Sequence, residues 1–263
     1  MVDPTGVAVT VTSMTSQARP DSAGDEPVRI GVLLLDSIDE PHRSIDGDYD
    51  LLFGTVLDRA NTVITCIDGR ADELPDHASH DGWVIPGSRQ SVYDDDAWIG
   101  RLESWTAEAL DRRTPLAGVC FGHQMIGRIM GAPVEKFSGG WNIGAIDYEV
   151  RAQLAWVPDM PERYRLIASH QDQVLELPAG AELFASSERC KVAGYTVDDH
   201  VLCVQGHPEF GPELAGSLYR SRIERIGAEP VSDALATLDR TLDRHTVADW
   251  LIATIHSARA IPA

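Results

Sequence analysis

The strictest structural requirement in this 263-residue sequence comes from two glycines that flank Cys120. A short apolar run, Pro115–Val119, has the length of a buried strand, and Phe121–Met130 has helical spacing. A chain that passes from strand to helix without a loop must turn sharply at the residue between them. Side chains at the flanking positions would collide with neighbouring backbone, so Gly118 and Gly122 have a steric role. The pattern predicts a strained turn that presents the side chain of Cys120.

Cys120 occupies the position of a nucleophile in this turn. Glycines two residues to either side match the Gly-x-Ser-x-Gly elbow of hydrolases. A helix N-terminus favours a thiolate, and the N–H of Phe121 would point toward a developing oxyanion. Packing is the commoner role of a cysteine, and we expect it for Cys66, Cys190 and Cys203, which lack flanking glycines. The absence of a CxxC pair disfavours a disulfide framework and a zinc site, and we expect no metal.

A base and its orienting acid are predicted where another apolar strand ends. His207 and Glu209 follow the run Val201–Gln205, with Pro208 between them. Proline fixes its own φ and favours an extended conformation at the preceding residue, so the imidazole and the carboxylate are presented together. A lone His-Pro-Glu is commonly a surface histidine and a helix-capping glutamate. In a chain that also has a cysteine elbow, it indicates a triad of Cys120, His207 and Glu209.

Apolar runs alternate with helical segments in the first half of the chain. The runs Val28–Leu35, Val63–Ile67 and Trp83–Ile85 have the length of strands buried on both faces. Between them, Tyr49–Arg59 and Ala97–Leu110 have apolar residues at helical spacing. Strands that alternate with helices favour an α/β fold with a parallel sheet.

The second half of the chain has a different texture. After Val134 the sequence is rich in strand-like runs, and two C-terminal helices are predicted, Pro212–Arg225 and Val247–Ala260. Residues 1–27 mix Ser, Thr, Gly, Pro and Asp with little periodicity, which is typical of a disordered tail. We therefore expect a tail over 1–27 and a single domain over 28–263.

Charge excludes several classes of partner. The 41 acidic and 22 basic side chains give a formal net charge of −19, which repels nucleic acids and anionic membranes. Two aspartate-rich runs, at 46–50 and 94–96, lack the spacing of a calcium loop and are predicted to be solvated loops. No apolar stretch is long enough to span a bilayer, and no basic start precedes an apolar block, so we expect a cytoplasmic protein.

Four motifs occur in a fixed order from Val28 to Phe210. They are Pro86-Gly87-Ser88, the elbow Gly118-Val119-Cys120-Phe121-Gly122-His123-Gln124, the segment Ser169-His170-Gln171-Asp172, and His207-Pro208-Glu209. In these motifs the chain resembles the class I glutamine amidotransferases, and most of all the stand-alone branch similar to GMP synthetase. The resemblance implies an α/β fold in the form of a three-layer flavodoxin-like sandwich, with a central mostly parallel sheet and a nucleophile elbow.

The resemblance also implies roles for further residues. Backbone amides of Gly87 and Phe121 would form the oxyanion hole. Five side chains would bind the substrate: Gln124, Ser169, His170, Gln171 and Asp172. The chain departs from the family pattern at Ser88, where a second glycine is usual, and at Gly206, where an aromatic residue often precedes the histidine. The family's chemistry implies no cofactor.

Three functions remain open at this point. The first is a cysteine hydrolase that cleaves the γ-amide of glutamine or of a γ-glutamyl compound through a γ-glutamyl thioester. The second is a glutaminase subunit that supplies ammonia to a separate synthetase, since the roughly fifty residues after Phe210 are too few for a synthetase domain. The third is a non-catalytic binding module on the same scaffold. The expected partners are a small γ-glutamyl molecule and, in the second case, a synthetase subunit.

Overall fold

The computed structural model describes residues 9–10 and 26–259. Most of the predicted tail, residues 1–27, lies outside the described residues; the exceptions are the strand Val9–Thr10 and residues 26–27. The prediction of a single domain over 28–263 stays a prediction. Within the described ranges, no helix is both long and apolar enough to cross a membrane.

Strands and helices alternate up to the elbow, and strands dominate after it. The strands are β1 Val9–Thr10, β2 Val28–Leu34, β3 Thr62–Asp68, β4 Gly82–Ile85, β5 Leu116–Val119, β6 Val134–Lys136, β7 Asn142–Val150, β8 Arg163–His170, β9 Asp172–Val174, β10 Ala181–Ser186, β11 Gly194–Val197 and β12 Val201–Val204. The α-helices are α1 Glu40–Asp46, α2 Tyr49–Val56, α3 Ala97–Asp111, α4 Phe121–Ile129, α5 Pro212–Ser221, α6 Ile223–Ile226, α7 Ala228–Leu235 and α8 Arg244–Arg259.

The main sheet has a parallel centre. Its order among the described strands is β1-β3-β2-β4-β5-β12-β11-β10-β7-β8, and β6 pairs with β9 in a separate ribbon. Strands β3, β2, β4, β5 and β12 are parallel, whereas the strands from β11 to β8 continue the sheet antiparallel. The carboxyl ends of the parallel strands meet at one edge, where open α/β sheets place their ligands. The elbow after β5 and the His-Pro-Glu after β12 both lie at that edge.

Helices cover both faces of the parallel centre. On one face, α3 and α4 bury Leu102, Phe121 and Met125 against the sheet, around Trp83. On the other face, α2, α5 and α8 contribute a second apolar cluster. The runs predicted as strands are uniformly apolar because they are covered on both sides. This arrangement confirms the predicted three-layer flavodoxin-like fold.

The C-terminal region contains more helices than its apolar spacing predicts. The predicted helix Pro212–Arg225 is broken at Arg222, whose φ of −105° and ψ of 13° separate α5 from α6. Helix α7 was not predicted, because Gly227 and Pro230 are helix breakers in most contexts. Pro230 is tolerated because it lies in the first turn, where its missing N–H would have no intrahelical acceptor.

The aspartate-rich run at 46–50 is not a solvated loop, so that prediction is wrong. Asp46 ends α1, and Asp48 caps α2 by accepting a hydrogen bond from the N–H of Tyr49 at 2.9 Å. The same carboxylate oxygen of Asp48 also accepts from the N–H of Ile38, before α1, at 2.7 Å. Aspartate is a preferred N-cap because its carboxylate accepts from the unpaired amides of the first turn. The run at 94–96 is an exposed loop, as predicted.

Candidate active site

Cys120 lies at a strained turn between β5 and α4. Its φ of 50° and ψ of −97° are unusual for a residue with a side chain, and its N–H donates to the carbonyl of Val204 at 2.9 Å. A Cβ added to Gly118 would lie 2.9 Å from the backbone of Gly122, and one added to Gly122 would lie 2.0 Å from the carbonyl oxygen of Ile85. The predicted steric role of both glycines is therefore confirmed.

The Pro86–Gly87 turn lies directly beside this elbow. The N–H of Gly122 donates to the carbonyl of Pro86 at 3.1 Å, which fixes the two turns to each other. A Cβ added to Gly87 would lie 2.9 Å from Cε1 of His207 and 3.6 Å from Cβ of Cys120. The structure thus brings together Gly87, the elbow cysteine and the predicted base.

His207 and Glu209 form a buried pair. Nδ1 of His207 lies 2.7 Å from Oε1 of Glu209, and both side chains are almost fully enclosed. The ring of Phe210 stacks on the imidazole with centroids 4.3 Å apart. Arg244 donates to the carbonyl oxygens of Pro208 and Glu209 at 2.9 and 2.7 Å, which holds the extended segment in place. Among the described groups, Nε2 of His207 is buried and has no hydrogen-bond partner.

The charge state of His207 is set by its neighbours. Burial disfavours the imidazolium, but the negative charges of Glu209 and Cys120 outweigh burial and raise the pKa of His207 to about 10. The imidazole is therefore protonated at neutral pH. A proton held in this way is positioned for donation to a leaving group.

The segment predicted to bind substrate forms one wall of the site. Nε2 of Gln124 donates to the carbonyl of Asp172 at 2.8 Å and to Oε1 of Gln205 at 3.2 Å. The hydroxyl groups of Ser91 and Tyr93 donate to the carboxylate of Asp172. Ser169, His170 and Gln171 line the same cleft. All five predicted substrate-binding residues are thus brought together with Cys120.

His170 and His123 are buried and neutral. Burial lowers the pKa of His170 to about 4. The amide nitrogen of Asn142 lies 3.1 Å from its Nε2, and its Nδ1 lies 3.0 Å from the carbonyl of Asp172, which assigns the proton to Nδ1. His123 is fully buried behind the elbow, and burial lowers its pKa to about 3. Both rings are therefore neutral near neutral pH.

The cleft in front of Cys120 has a volume of about 210 Å³. Several of the residues that line it were not predicted from the sequence: Asp36, Asp39, Tyr49, Arg89, Arg222 and Arg225. One of them, Asp36, could have been predicted, because it follows β2 at the edge where parallel sheets bind their ligands. It pairs with Arg89 at 2.9 Å. Nothing in the local sequence marks Arg222 or Arg225.

Within the described part of the chain, no group of three or more His, Cys, Asp or Glu side chains is arranged to hold a metal ion. All four cysteines are free and buried. Burial raises the pKa of Cys66, Cys190 and Cys203 to about 12 in each case. These three thiols are therefore protonated and poorly nucleophilic.

Comparison with known proteins identifies related sequences. Residues 57–223, more than half of the chain, match the model of the family "glutamine amidotransferase class-I". Over 154 residues the chain is 36% identical to gamma-glutamyl peptidase 3 of Arabidopsis thaliana, an alignment that covers 56% of this chain and 62% of that protein. Over 139 residues it is 33% identical to a glutamine-hydrolyzing GMP synthase of Listeria innocua, covering 51% of this chain and 26% of that protein. The chain thus spans less than two thirds of the length of these relatives.

Solved structures share the architecture. A glutamine amidotransferase from Thermotoga maritima superposes with a TM-score of 0.69 at 20% sequence identity, covering 90% of this chain and all of that one. A second, from Methylobacillus flagellatus, gives a TM-score of 0.64 at 20% identity. At this level of identity, the similarity establishes the fold.

Proposed function

Because the chain belongs to the class I glutamine amidotransferase family, we propose that it hydrolyses the γ-amide of glutamine or of a γ-glutamyl compound. The observation that carries this proposal is the meeting of three elements from separate parts of the chain. Cys120 sits at a φ of 50°, and Gly87 lies against both this residue and His207, whose other side is bonded to Glu209. Packing alone would not require a strained cysteine beside a buried acid–base pair.

The proposed reaction begins with attack by Sγ of Cys120 on the γ-carbonyl carbon. The electron pair of the carbonyl moves onto its oxygen, which the N–H groups of Gly87 and Phe121 stabilise. Collapse of this intermediate expels the amine, which takes a proton from Nε2 of His207, and leaves a γ-glutamyl thioester. Water then attacks the thioester, gives a proton to His207, and releases glutamate and the free thiol.

Glu209 orients the base through its hydrogen bond to Nδ1 and stabilises the imidazolium. The buried carboxylate contributes to the raised pKa of His207. In hydrolytic triads, the third residue holds the imidazole in the required tautomer rather than taking its proton. This is the role that we assign to Glu209.

The proposal is tested by turnover of the purified chain. We expect release of ammonia or amine together with glutamate from glutamine or from a panel of γ-glutamyl amides. Cys120→Ala should lower kcat by roughly a thousandfold or more. Intact-mass spectrometry during turnover should detect a glutamyl adduct on the wild type and none on the variant. Cys66→Ala is the matched control, because it removes a buried thiol outside the cleft. Full activity of Cys120→Ala would end the proposal.

A subunit that supplies ammonia to a separate synthetase is the second candidate. The similarity to a glutamine-hydrolyzing GMP synthase favours it, because the name of that protein joins glutamine hydrolysis to a synthetic reaction. This candidate predicts that the isolated chain is nearly inactive and gains activity when a synthetase is added. Strong turnover by the isolated chain would exclude it in favour of the hydrolase. A folded chain that binds γ-glutamyl compounds without cleaving them would instead indicate a binding module.

A further inference from the structure

The turn that follows β4 is held to the elbow at one end. The carbonyl of Pro86 accepts the N–H of Gly122 at 3.1 Å. This carbonyl and the N–H of Gly87 belong to one planar peptide group, so the direction of one fixes the direction of the other. The N–H of Gly87 is the donor that the proposed reaction places in the oxyanion hole. Its position therefore depends on how firmly the turn is held on both sides.

Arg89 holds the other end of the turn to the segment between β2 and α1. Its backbone N–H and its Nε both donate to Oδ2 of Asp36, at 3.0 and 2.9 Å. Its Nη2 donates to the carbonyl of Ser37 at 2.6 Å, and its Nη1 donates to the carboxylate of Asp39 at 3.3 Å. The side chain of Asp36 is only 8% exposed, so water screens this ion pair little. Arg89 thus joins the loops that follow two neighbouring strands of the parallel sheet.

The guanidinium of Arg89 lines the cleft but is already occupied. Each of its three nitrogens donates to an oxygen of Asp36, Ser37 or Asp39. Two carboxylates also balance its positive charge. An arginine that binds an anionic ligand presents its paired N–H groups to that ligand. The contacts of Arg89 therefore fit the positioning of a loop better than direct contact with a substrate.

Ser88, between Gly87 and Arg89, restricts the turn further. It stands where the family pattern has a second glycine. Its hydroxyl donates to Oε1 of Gln90 at 2.8 Å and accepts the N–H of Gln90 at 3.3 Å. A serine hydroxyl bonded to the backbone two residues later closes a local turn, and serine has fewer backbone conformations than glycine. This departure from the family pattern therefore favours a single conformation of the turn.

The far side of the same loop is attached to the wall that is expected to bind the glutamyl part. The hydroxyl groups of Ser91 and Tyr93 donate to the carboxylate of Asp172. The N–H of Ser91 donates to the carboxylate of Asp94 at 2.9 Å, which closes the end of the loop on itself. Hydrogen bonds from residues 86, 89 and 91 thus attach the loop to three separate segments of the chain.

We infer that Arg89 is a positioning residue that keeps the oxyanion turn at Gly87 assembled in the isolated chain, so that no partner protein is needed to complete the oxyanion hole. The inference rests on the proposed function, which assigns Gly87 as an oxyanion donor. Donors that are held in place before the reaction stabilise the transition state without a cost of reorganisation. Loss of the Arg89 side chain would remove the attachment nearest to Gly87 on this side of the turn.

The test measures kcat and KM separately. The purified full chain, Arg89→Gln and Arg89→Lys are assayed with glutamine and with γ-glutamylglycine. Removal of one oxyanion donor costs roughly 100- to 1,000-fold in kcat, so a loosened donor in Arg89→Gln should cost about 10- to 100-fold, with KM nearly unchanged. Arg89→Lys should lose nearly as much, because lysine keeps the charge but lacks the planar fork that joins three groups at once.

A second measurement separates the oxyanion hole from the nucleophile. Alkylation of Cys120 by iodoacetamide joins Sγ to a saturated carbon and expels iodide, so it uses no oxyanion donor. We expect the alkylation rate of Arg89→Gln to equal that of the wild type, with Cys120→Ala as the background. Arg101→Gln is the matched control, because Arg101 holds another loop through the carbonyls of Arg70 and Ala71 and lies outside the cleft. It should keep the kcat of the wild type.

The outcomes separate the inference from the function on which it rests. Wild-type kcat in Arg89→Gln would overturn the inference and leave the proposed function intact. A raised KM that Arg89→Lys restores would indicate direct contact with substrate, and equal losses of turnover and alkylation with a lower unfolding temperature would indicate a general structural role; either result would overturn it.

The wild type alone provides the remaining outcomes. Turnover that appears only when a synthetase is added would overturn the inference, because the oxyanion hole would then depend on a partner. Absence of turnover under both conditions would overturn the proposed function, and the inference with it.

Discussion

Gly87→Ala tests whether the position of the imidazole controls activity. The substitution keeps the backbone N–H that we propose as an oxyanion donor and adds only a methyl group. That carbon would lie 2.9 Å from Cε1 of His207. The ring has little room to retreat, because it stacks on Phe210 at 4.3 Å and is bonded to Glu209 at 2.7 Å. The substitution therefore displaces the base without removing any proposed catalytic group.

The expected loss follows from this geometry. Carbon atoms settle at about 3.5 Å from one another, so the imidazole must move by about 0.5 Å. A misplacement of 1 Å at a reacting group costs roughly a hundredfold in rate, and half that displacement corresponds to roughly tenfold. We expect kcat of Gly87→Ala to fall by about this factor, with KM little changed, since the substrate-binding wall is untouched.

Steady-state turnover of the best γ-glutamyl substrate measures this effect, and thermal unfolding measures stability in parallel. The matched control is Gly100→Ala in α3, where an added Cβ meets nothing within 4 Å. This control makes the same chemical change and should keep full activity. It should also stabilise the chain by about 0.5–1 kcal/mol, because alanine loses less conformational freedom than glycine in a helix.

Wild-type kcat in Gly87→Ala would refute the reasoning, since it would mean that the imidazole is not confined or does not act. Equal losses in Gly87→Ala and Gly100→Ala would also refute it, because only the first methyl group approaches the base. A fall in unfolding temperature that matches the loss of activity would assign the effect to stability instead.

Three further perturbations follow from the structure. Glu209→Gln removes a charge that raises the pKa of His207, so the alkaline limb of the kcat/KM profile should move to lower pH; an unchanged limb contradicts the assigned role. Because the folded-state pKa of about 10 lies above the ordinary 6.5, the stabilisation by His207 is complete below pH 6.5 and is lost as the pH rises toward 10. The unfolding midpoint should fall more over that range in the wild type than in Glu209→Gln. Gly122→Ala places a carbon 2.0 Å from the backbone oxygen of Ile85, and we expect a loss of more than about 3 kcal/mol or no soluble protein; a native unfolding midpoint would contradict this. Tyr219→Phe removes a hydroxyl that bonds two buried backbone groups, so urea denaturation should show a loss of about 1–3 kcal/mol, and an unchanged midpoint would count against it.

The parallel centre of the fold and the elbow could be predicted because each depends on local sequence. A strand covered on both faces must be apolar along its length, as β2 and β12 are. Glycine is required on both sides of Cys120 because a Cβ at either position would clash with backbone of the turn itself or of the adjacent strand. In both cases the physical requirement falls on neighbouring residues, where a pattern can show it.

Other features could not be predicted because they depend on contacts between distant segments. Arg89 turns toward Asp36 only because β2 and β4 are adjacent in the sheet. The helical spacing of apolar residues continues through Arg222, so the break between α5 and α6 could not be predicted from that spacing. Asp48 looks like a solvated residue in the sequence and caps a helix in the structure. Each of these features depends on which segments lie side by side in the fold, and the spacing of residue types along the sequence does not show this.

Strand β8, at the edge of the main sheet, is hydrogen-bonded to the segment of His207 that follows the central strand β12. Strand β8 contributes Ser169 and His170 to the cleft, and the carbonyl of Ile167, on the same strand, accepts the N–H of His207 at 2.8 Å. One short strand therefore contains two side chains that we propose to bind the substrate and also holds the backbone of the proposed base. Because of this hydrogen bond, we expect a ligand that displaces β8 to displace His207 with it. Under the proposed function, substrate binding and proton transfer are therefore coupled through β8, and we expect a substrate that binds in the wrong position to misalign His207.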